Sequence, residues 1–146
     1  MRAVIPTVIG QVAAGERTIT LGDLRPTRDF SYVKDTVAAF RAVGTAPAAA
    51  VLGRTFNSGT GEEISVGDLV TLIGKLMEAD LDVRPDEARV RPANSEVMRL
   101  VSDASRLRAA TGWAPAHTLE EGLRHTIDFF RDPANLGRYK TGIYNV

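Results

Sequence analysis

Arginines and carboxylates are the side chains of this sequence best suited to binding a charged ligand. Arg28 stands just before a strand-like segment, and Arg91 opens a polar loop that leads to Glu96. The planar guanidinium donates two hydrogen bonds at once and therefore suits phosphate groups. Solvated surface arginine is the plainer interpretation of either residue taken alone.

Acid–base and metal chemistry are not indicated by residue types alone. An ordinary surface carries many carboxylates, so their presence selects no mechanism; the candidates are Asp29, Asp35, Glu62, Glu63 and Glu96. The sequence has no cysteine, which excludes disulfide and thiolate chemistry. His117 and His125 do not have the i, i+4 spacing of a helical metal site, so we predict no metal.

A glycine-containing segment at 57–61, Asn-Ser-Gly-Thr-Gly, superficially resembles a phosphate-binding loop. It lacks the third glycine of a dinucleotide loop and the lysine of a Walker loop. We interpret it as a turn between a strand at Arg54–Asn57 and a following helix. Trp113, inside Gly-Trp-Ala-Pro, is interpreted as a packing anchor.

Length and composition are typical of one globular domain. We predict a single partial domain over the 146 residues, of which 44% are apolar and 25% charged. The 18 basic and 18 acidic residues cancel, so no overall field attracts nucleic acid or anionic membrane. No apolar run approaches the roughly 20 residues that span a bilayer, and we expect a cytoplasmic protein.

Hydrophobic periodicity predicts helices that alternate with short strands, which favours an α/β fold. Val37, Phe40 and Val43 are expected to point inward from the second helix. Ser65-x-x-Asp68 and Thr118-x-x-Glu121 are predicted capping boxes. The predicted helices lie over residues 4–12, 35–43, 65–77, 103–110 and 118–130, and the predicted strands at 18–21, 30–33, 54–57 and 82–84, with a loop at 45–50.

Five short motifs follow one another in a recognisable order. They are Gly22-Asp23 with Arg28-Asp29-Phe30-Ser31-Tyr32-Val33-Lys34-Asp35; Phe56-Asn57-Ser58-Gly59 with Ile64-Ser65; Arg91-Pro92-Ala93-Asn94-Ser95-Glu96-Val97; Asp103-Ala104-Ser105-Arg106; and Gly112-Trp113-x-Pro115 with Leu119-Glu120-Glu121-Gly122-Leu123. Their order and spacing resemble the extended short-chain dehydrogenase/reductase family over nearly the whole chain. The closest subgroup is the NAD-dependent nucleotide-sugar 4,6-dehydratases and 4-epimerases.

This resemblance implies the carboxy-terminal, substrate-binding portion of an extended Rossmann-type enzyme. The family's glycine-rich dinucleotide motif and its Tyr-x-x-x-Lys pair are both absent from the sequence. NAD is thus implied for the full-length family, with no cofactor bound by this chain alone and no catalytic residue in it. The implied partner is a nucleoside-diphosphate sugar.

The resemblance also suggests which residues bind substrate. Arg28 and Arg91 would grip the diphosphate, and Glu96, Asn57 and Ser65 are lesser candidates, although Ser65 is equally explained as a helix cap. Without the missing half, the apolar faces at Val37/Phe40 and at Val66/Leu69/Ile73 would lose part of their cover, and exposed apolar surface of that kind would favour a homo-oligomer. The alternative hypothesis is a stand-alone, non-catalytic module that binds a nucleotide-sugar or a protein partner.

Overall fold

Helices and short parallel strands alternate along the chain, which confirms the predicted α/β class. The structure, a computed structural model, describes residues 3–86 and 97–139. The helices are α1 (Val4–Ala13), α2 (Val33–Thr45), α3 (Ala48–Val51), α4 (Val66–Leu76), α5 (Ser105–Thr111), α6 (Leu119–Arg131) and α7 (Pro133–Leu136). The strands are β1 (Thr18–Leu21), β2 (Thr27–Arg28), β3 (Ile64–Ser65), β4 (Asp82–Pro85) and β5 (Arg99–Leu100). No helix in the described part is long and apolar enough to cross a membrane.

These elements form two compact units. The first is built from the described residues of Met1–Pro26, Ser65–Met98 and Leu123–Val146. The second comprises Thr27–Ile64 and Arg99–Gly122. Helix α6 begins in the second unit, and its residues from Leu123 onward belong to the first.

The first unit is held together by aliphatic side chains around a parallel strand pair. β1 pairs with β4 so that Thr18 lies opposite Asp82, and α1 packs against α4. The buried apolar side chains of this unit are Val8, Ile9, Val12, Ile19, Leu21, Leu69, Val70, Ile73, Leu123, Ile127 and Phe130. Full burial of one such side chain stabilises by about 1.5–3 kcal/mol, so this cluster is the main support of the unit.

The capping box predicted at Thr118 and Glu121 is confirmed, and at Ser65 the predicted helix cap is confirmed, with the Asp68 carboxylate accepting from the Ser65 hydroxyl. At the start of α4, Ser65 Oγ accepts from the backbone N–H of Asp68 (3.0 Å) and donates to its carboxylate (2.6 Å). At the start of α6, Thr118 Oγ1 accepts from the N–H of Glu121 (3.2 Å), and the Glu121 carboxylate accepts from the N–H of Thr118 (2.8 Å). These bonds satisfy backbone donors that have no partner within the helix.

The second unit has a small core around Trp113. Its buried apolar members are Ala39, Ala104, Leu107 and Trp113, and Phe56 packs against them. The indole Nε1–H of Trp113 donates to the backbone oxygen of Asp35 at 3.2 Å, and the side chain is 7% exposed. Trp113 is therefore the packing anchor that the sequence predicted.

One carboxylate, that of Asp29, joins three separate segments of the second unit. It accepts from the N–H and hydroxyl of Thr60 (3.0 and 2.7 Å), from the N–H of Gly61 (2.9 Å) and from the N–H of Ser102 (3.2 Å). Gly59 fits between these groups, because a Cβ there would lie 2.3 Å from the Cβ of Ser102. The 57–61 segment is thus a turn whose backbone amides bind a protein carboxylate.

Two predicted strands are wrong. Phe30–Val33 is not a strand: pairing occurs earlier, where β2 lies between β3 and β5, and α2 begins at Val33. Arg54–Asn57 is irregular and forms no strand. Phe56 packs against the Trp113 core. Strand formation needs a paired neighbour, which an isolated run of β-formers does not reveal. The loop predicted at 45–50 contains the start of α3.

The face of α2 that the sequence predicted to point inward is covered at Val43, which packs against the Trp113 core, and uncovered at Val37 and Phe40. Val37 and Phe40 are 54% and 76% exposed, whereas Asp35 and Ala39 are buried. The small Ala39 allows α2 to approach α5, and the Asp35 carboxylate is hydrogen-bonded. On the other face expected to lose cover, that of α4, Leu69 and Ile73 are buried and Val66 is half-buried. The homo-oligomer stays a prediction, since a single chain does not test it.

We predict that Gly59→Ala destabilises the second unit by at least the roughly 1–3 kcal/mol typical of overpacking, because the new methyl would overlap Ser102. Urea unfolding would measure the change. Gly44→Ala is the matched control: nothing lies within 4 Å of its Cβ position, and alanine suits a helix better. Equal stability of the two variants would contradict the packing argument.

Candidate functional site

Arg28 lies in the wall of a pocket that belongs wholly to the second unit. The pocket has a volume of about 430 Å³, within the usual range for small-molecule sites. Its lining residues are Arg28, Phe30, Thr60, Glu62, Glu63, Ile64, Pro115, Ala116, His117, Thr118 and Leu119. They come from the end of β2, the segment before β3, and the loop that leads into α6.

Strand pairing fixes the position of Arg28. β2 runs parallel to β5, with Arg28 opposite Leu100, and the next residue, Asp29, is bound by the turn that contains Thr60. The half-buried Arg28 donates from Nη1 to the backbone oxygen of Thr27 at 2.8 Å. The backbone at Arg28 is therefore fixed by strand pairing and by the bonds of Asp29, and this sets where its guanidinium lies.

Glu63 is hydrogen-bonded to residues of the strands β2 and β5. Its carboxylate accepts from the Thr27 hydroxyl (2.5 Å) and from Arg99 Nε (2.8 Å). The hydroxyl of Thr27, and then the guanidinium of Arg99, lower the pKa of Glu63 below its usual value. Glu63 is thus a charged group with partners across the sheet, and an ionised carboxylate with such partners is poorly placed to act as a general acid at neutral pH.

The opposite wall of the pocket is held by a buried carboxylate, that of Asp35. It is 2% exposed and accepts from the backbone N–H groups of Ala116 (3.1 Å) and His117 (3.2 Å). The Nδ1–H of His117 donates to the same carboxylate at 2.9 Å. Burial opposes ionisation of Asp35, but these hydrogen bonds outweigh it and lower the pKa of the carboxyl.

The Asp35 bond sets the orientation of the His117 ring. An ionised carboxylate only accepts hydrogen bonds, so Nδ1 carries the proton in this contact. The edge of the His117 ring contacts Tyr32, with ring centroids 4.8 Å apart. His117 therefore has a structural role at the pocket wall.

The other sequence-predicted site residues are placed as follows. Asn57 is exposed and does not line the pocket. Ser65 caps α4, which is the role that the sequence equally allowed. Arg91 and Glu96 lie outside the described residues, so their convergence with Arg28 stays a prediction.

Sequence reasoning missed how the chain surrounds Arg28. Phe30 was assigned to a strand, and Thr118 was recognised only as a helix cap, yet both line the pocket. The Gly-Trp-Ala-Pro segment was the useful indication, because a packing anchor at Trp113 brings the following residues back against α2. Within the described part of the chain, no three His, Cys, Asp or Glu side chains gather to hold a metal ion.

Comparison with known proteins finds similarity to enzymes that are named for their nucleotide-sugar substrates. The family profile described as GDP-mannose 4,6 dehydratase matches residues 1–126. A UDP-glucose 4-epimerase of Mycolicibacterium smegmatis is 38% identical over 120 residues, which are 82% of this chain and 36% of that protein. A dTDP-glucose 4,6-dehydratase of Xanthomonas campestris pv. campestris is 33% identical over 134 residues, or 86% of this chain and 37% of that enzyme.

Solved structures show the same fold. RMD from Pseudomonas aeruginosa, complexed with NADPH, superposes with a TM-score of 0.77 at 25% identity, over 88% of this chain and 42% of that chain. The UDP-glucose 4-epimerase of Thermotoga maritima, with UDP-glucose, gives a TM-score of 0.75 at 27% identity, over 90% and 40%. The chain thus spans about two fifths of the length of the proteins it matches.

The buried carboxylate of Asp35 leads to a prediction about acid stability. Its pKa is lower in the folded chain than the ordinary 3.8, so its contribution is present above that pH and is lost as the pH falls toward the folded pKa. Asp35→Asn should lower the free energy of unfolding at pH 7 by about 1.5–3 kcal/mol, the range for hydrogen bonds to a charged group.

Urea unfolding between neutral and acidic pH would measure both effects. Asp35→Asn should lose stability less steeply than wild type as the pH falls below that of the free carboxyl. The exposed Asp80 provides the control, since Asp80→Asn should behave as wild type. Parallel pH profiles for Asp35→Asn and wild type would count against this assignment.

Proposed function

The chain belongs to the extended short-chain dehydrogenase/reductase family of nucleotide-sugar epimerases and dehydratases, and we propose that it supplies the substrate-binding portion of an NAD-dependent 4,6-dehydratase or 4-epimerase. One structural observation carries the proposal: Arg28, in the motif shared with the family, lines a ligand-sized pocket. In this proposal the ligand is a nucleoside-diphosphate sugar, and Arg28 binds its diphosphate.

Charge balance requires a second cation in the proposed site. A diphosphate carries about two negative charges, and one guanidinium matches only part of that charge. Glu63 is already matched by Arg99, while Glu62 adds a negative charge to the same pocket. We therefore propose Arg91 as the second arginine, with Glu96 accepting from ribose hydroxyls and Asn57 as a minor contact. Ser65 is proposed to act only through the start of α4.

Hydride chemistry is assigned to the remainder of the family enzyme. NAD, when bound, would accept and return a hydride, and a tyrosine tuned for proton transfer would act with it. The sequence has no glycine-rich dinucleotide motif and no tyrosine followed four residues later by lysine. The proposed role of this chain is therefore to bind and orient the nucleotide portion of the substrate.

Arg28→Ala is predicted to weaken binding of uridine or guanosine diphosphate by about 1.5–3 kcal/mol, because a charged hydrogen bond to phosphate is lost. Titration calorimetry at fixed salt would measure it. Arg106→Ala removes an exposed arginine on α5 that does not line the pocket, and it should bind as wild type does. Equal affinity of wild type and Arg28→Ala would refute the assignment, and so would equal losses in the two variants.

The purified chain is further predicted to bind no NAD in calorimetry and to turn over no nucleotide-sugar, because neither motif for cofactor chemistry is present. A family enzyme that binds NAD, titrated under the same conditions, provides the positive control. NAD recovered from the purified chain, or product above a heat-inactivated control, would contradict the proposed division of roles.

A further inference from the structure

Two of the described residues that line the pocket can carry a positive charge, Arg28 and His117. An arginine stays charged in proteins, whereas a histidine ordinarily gains or loses its charge between about pH 5 and 8. The His117 side chain is 25% exposed, and its ring lines the pocket next to Ala116 and Thr118. The charge of the pocket therefore depends on whether the His117 ring is protonated.

The Asp35 carboxylate determines which nitrogen of His117 takes up the proton. It accepts from Nδ1–H at 2.9 Å and from the backbone amides of Ala116 and His117. Burial opposes ionisation of Asp35, but these bonds outweigh it and hold the pKa of the carboxyl below its ordinary value. Nδ1 is the donor to this anion, so Nε2, on another edge of the ring, is the atom that binds the additional proton.

With a neutral His117, the described part of the pocket has an excess of negative charge. Asp35 and Glu62 contribute one negative charge each and Arg28 contributes one positive charge, while Glu63 is already paired. Protonation of His117 neutralises Asp35 and removes that excess. A diphosphate carries about two negative charges, so it is bound better by the protonated form of the pocket.

The other groups around His117 ordinarily titrate outside the neutral range. They are Tyr32 and Asp35 of the α2 side, Arg28, Glu62 and Glu63 across the pocket, and Glu120 and Glu121 at the start of α6. Carboxyl groups ordinarily titrate near pH 4 and tyrosine near pH 10, and arginine remains charged. A change in the charge of this region between about pH 6 and 8 is therefore assigned to His117.

We propose that His117 is a proton-dependent binding residue of the pocket: a nucleoside-diphosphate sugar binds preferentially when the His117 ring is protonated, and the imidazolium and Arg28 together match its diphosphate. The charge of the ring adds to those of the two proposed arginines. The affinity therefore rises as the pH falls through the titration of the ring, and it levels off below that range. This inference rests on the proposed function, because it assumes that the pocket binds a diphosphate.

Calorimetric titration of the full chain between about pH 6 and 8 tests the proposal. The probes are UDP-glucose, dTDP-glucose and GDP-mannose, whose diphosphates are diesters of constant charge over this range. A free nucleoside diphosphate is unsuitable, because a terminal phosphate itself titrates near pH 6. For the probe that binds most tightly, the dissociation constant should be at least about threefold lower at the acidic end of the range than at the alkaline end.

Two variants identify the titrating group. His117→Asn retains a side-chain N–H that can donate to Asp35 but has no group that gains a charge, so its affinity should not change with pH. His125→Gln removes the other histidine of the sequence, which lies on α6 and does not line the pocket. It should show the same pH dependence as wild type.

The NMR signals of the imidazole ring provide a second measurement that does not alter His117. In His125→Gln the remaining histidine signals belong to His117, because the sequence has two histidines. A saturating concentration of the ligand should raise the pH midpoint of these signals by about half a pH unit or more, since a threefold affinity ratio and this shift are one linked quantity. A merely structural role at the pocket wall would leave the midpoint unchanged.

Failure of this proposal is distinguishable from failure of the proposed function. Binding that needs Arg28 but has the same affinity across the pH range would overturn the role of His117 and leave the proposed function standing. The same holds for a His117 midpoint that the ligand does not move, and for a pH dependence that persists in His117→Asn. Absence of binding of all three probes at every pH would overturn both.

Discussion

The Asp29 carboxylate is the constraint on which the second unit depends. Asp29 follows β2 directly, and its carboxylate oxygens accept from backbone amides of the 57–61 turn and of the segment after β5. These segments are short and largely irregular, so they have few ladder hydrogen bonds of their own. Burial raises and the hydrogen bonds lower the pKa of Asp29, and the net lowering keeps the carboxyl ionised at neutral pH. Because Arg28 is the adjacent residue, the same bonds determine where the pocket's guanidinium lies.

Local patterns predicted the elements whose determinants lie within a few residues. Helix α1, strand β1 and the helix caps at Ser65 and Thr118 agree with the sequence because periodicity and caps are local properties. The strands predicted at 30–33 and 54–57 were wrong because pairing depends on distant segments. The burial of Asp35 on α2 was not predicted, because its carboxylate is satisfied by amides about 80 residues away, and a hydropathy pattern does not register such partners.

For the candidate site, too, the sequence predicted the residues in local motifs and missed those that depend on distant contacts. Arg28 was predicted because it belongs to a motif of several consecutive residues. The residues around it were not, because the loop from Pro115 to Thr118 is held at the pocket by Trp113 and by bonds to Asp35, which are distant in the sequence. Three of the five carboxylates that the sequence offered as acid–base candidates have structural partners: Asp29 and Asp35 bind amides, and Glu63 pairs with Arg99. In the described part of the pocket, these three carboxylates therefore hold the surrounding segments in place.

Trp113 gives the chain an intrinsic optical reporter. It is the single tryptophan of the sequence, and it is buried in the second unit with its ring nitrogen bonded to Asp35. Indole fluorescence can be excited selectively over that of tyrosine, and its emission shifts to longer wavelength when the ring becomes solvated. Emission from the unlabelled chain therefore monitors the core beneath the pocket, whereas unfolding confined to the aliphatic core of the first unit should leave the indole signal largely unchanged.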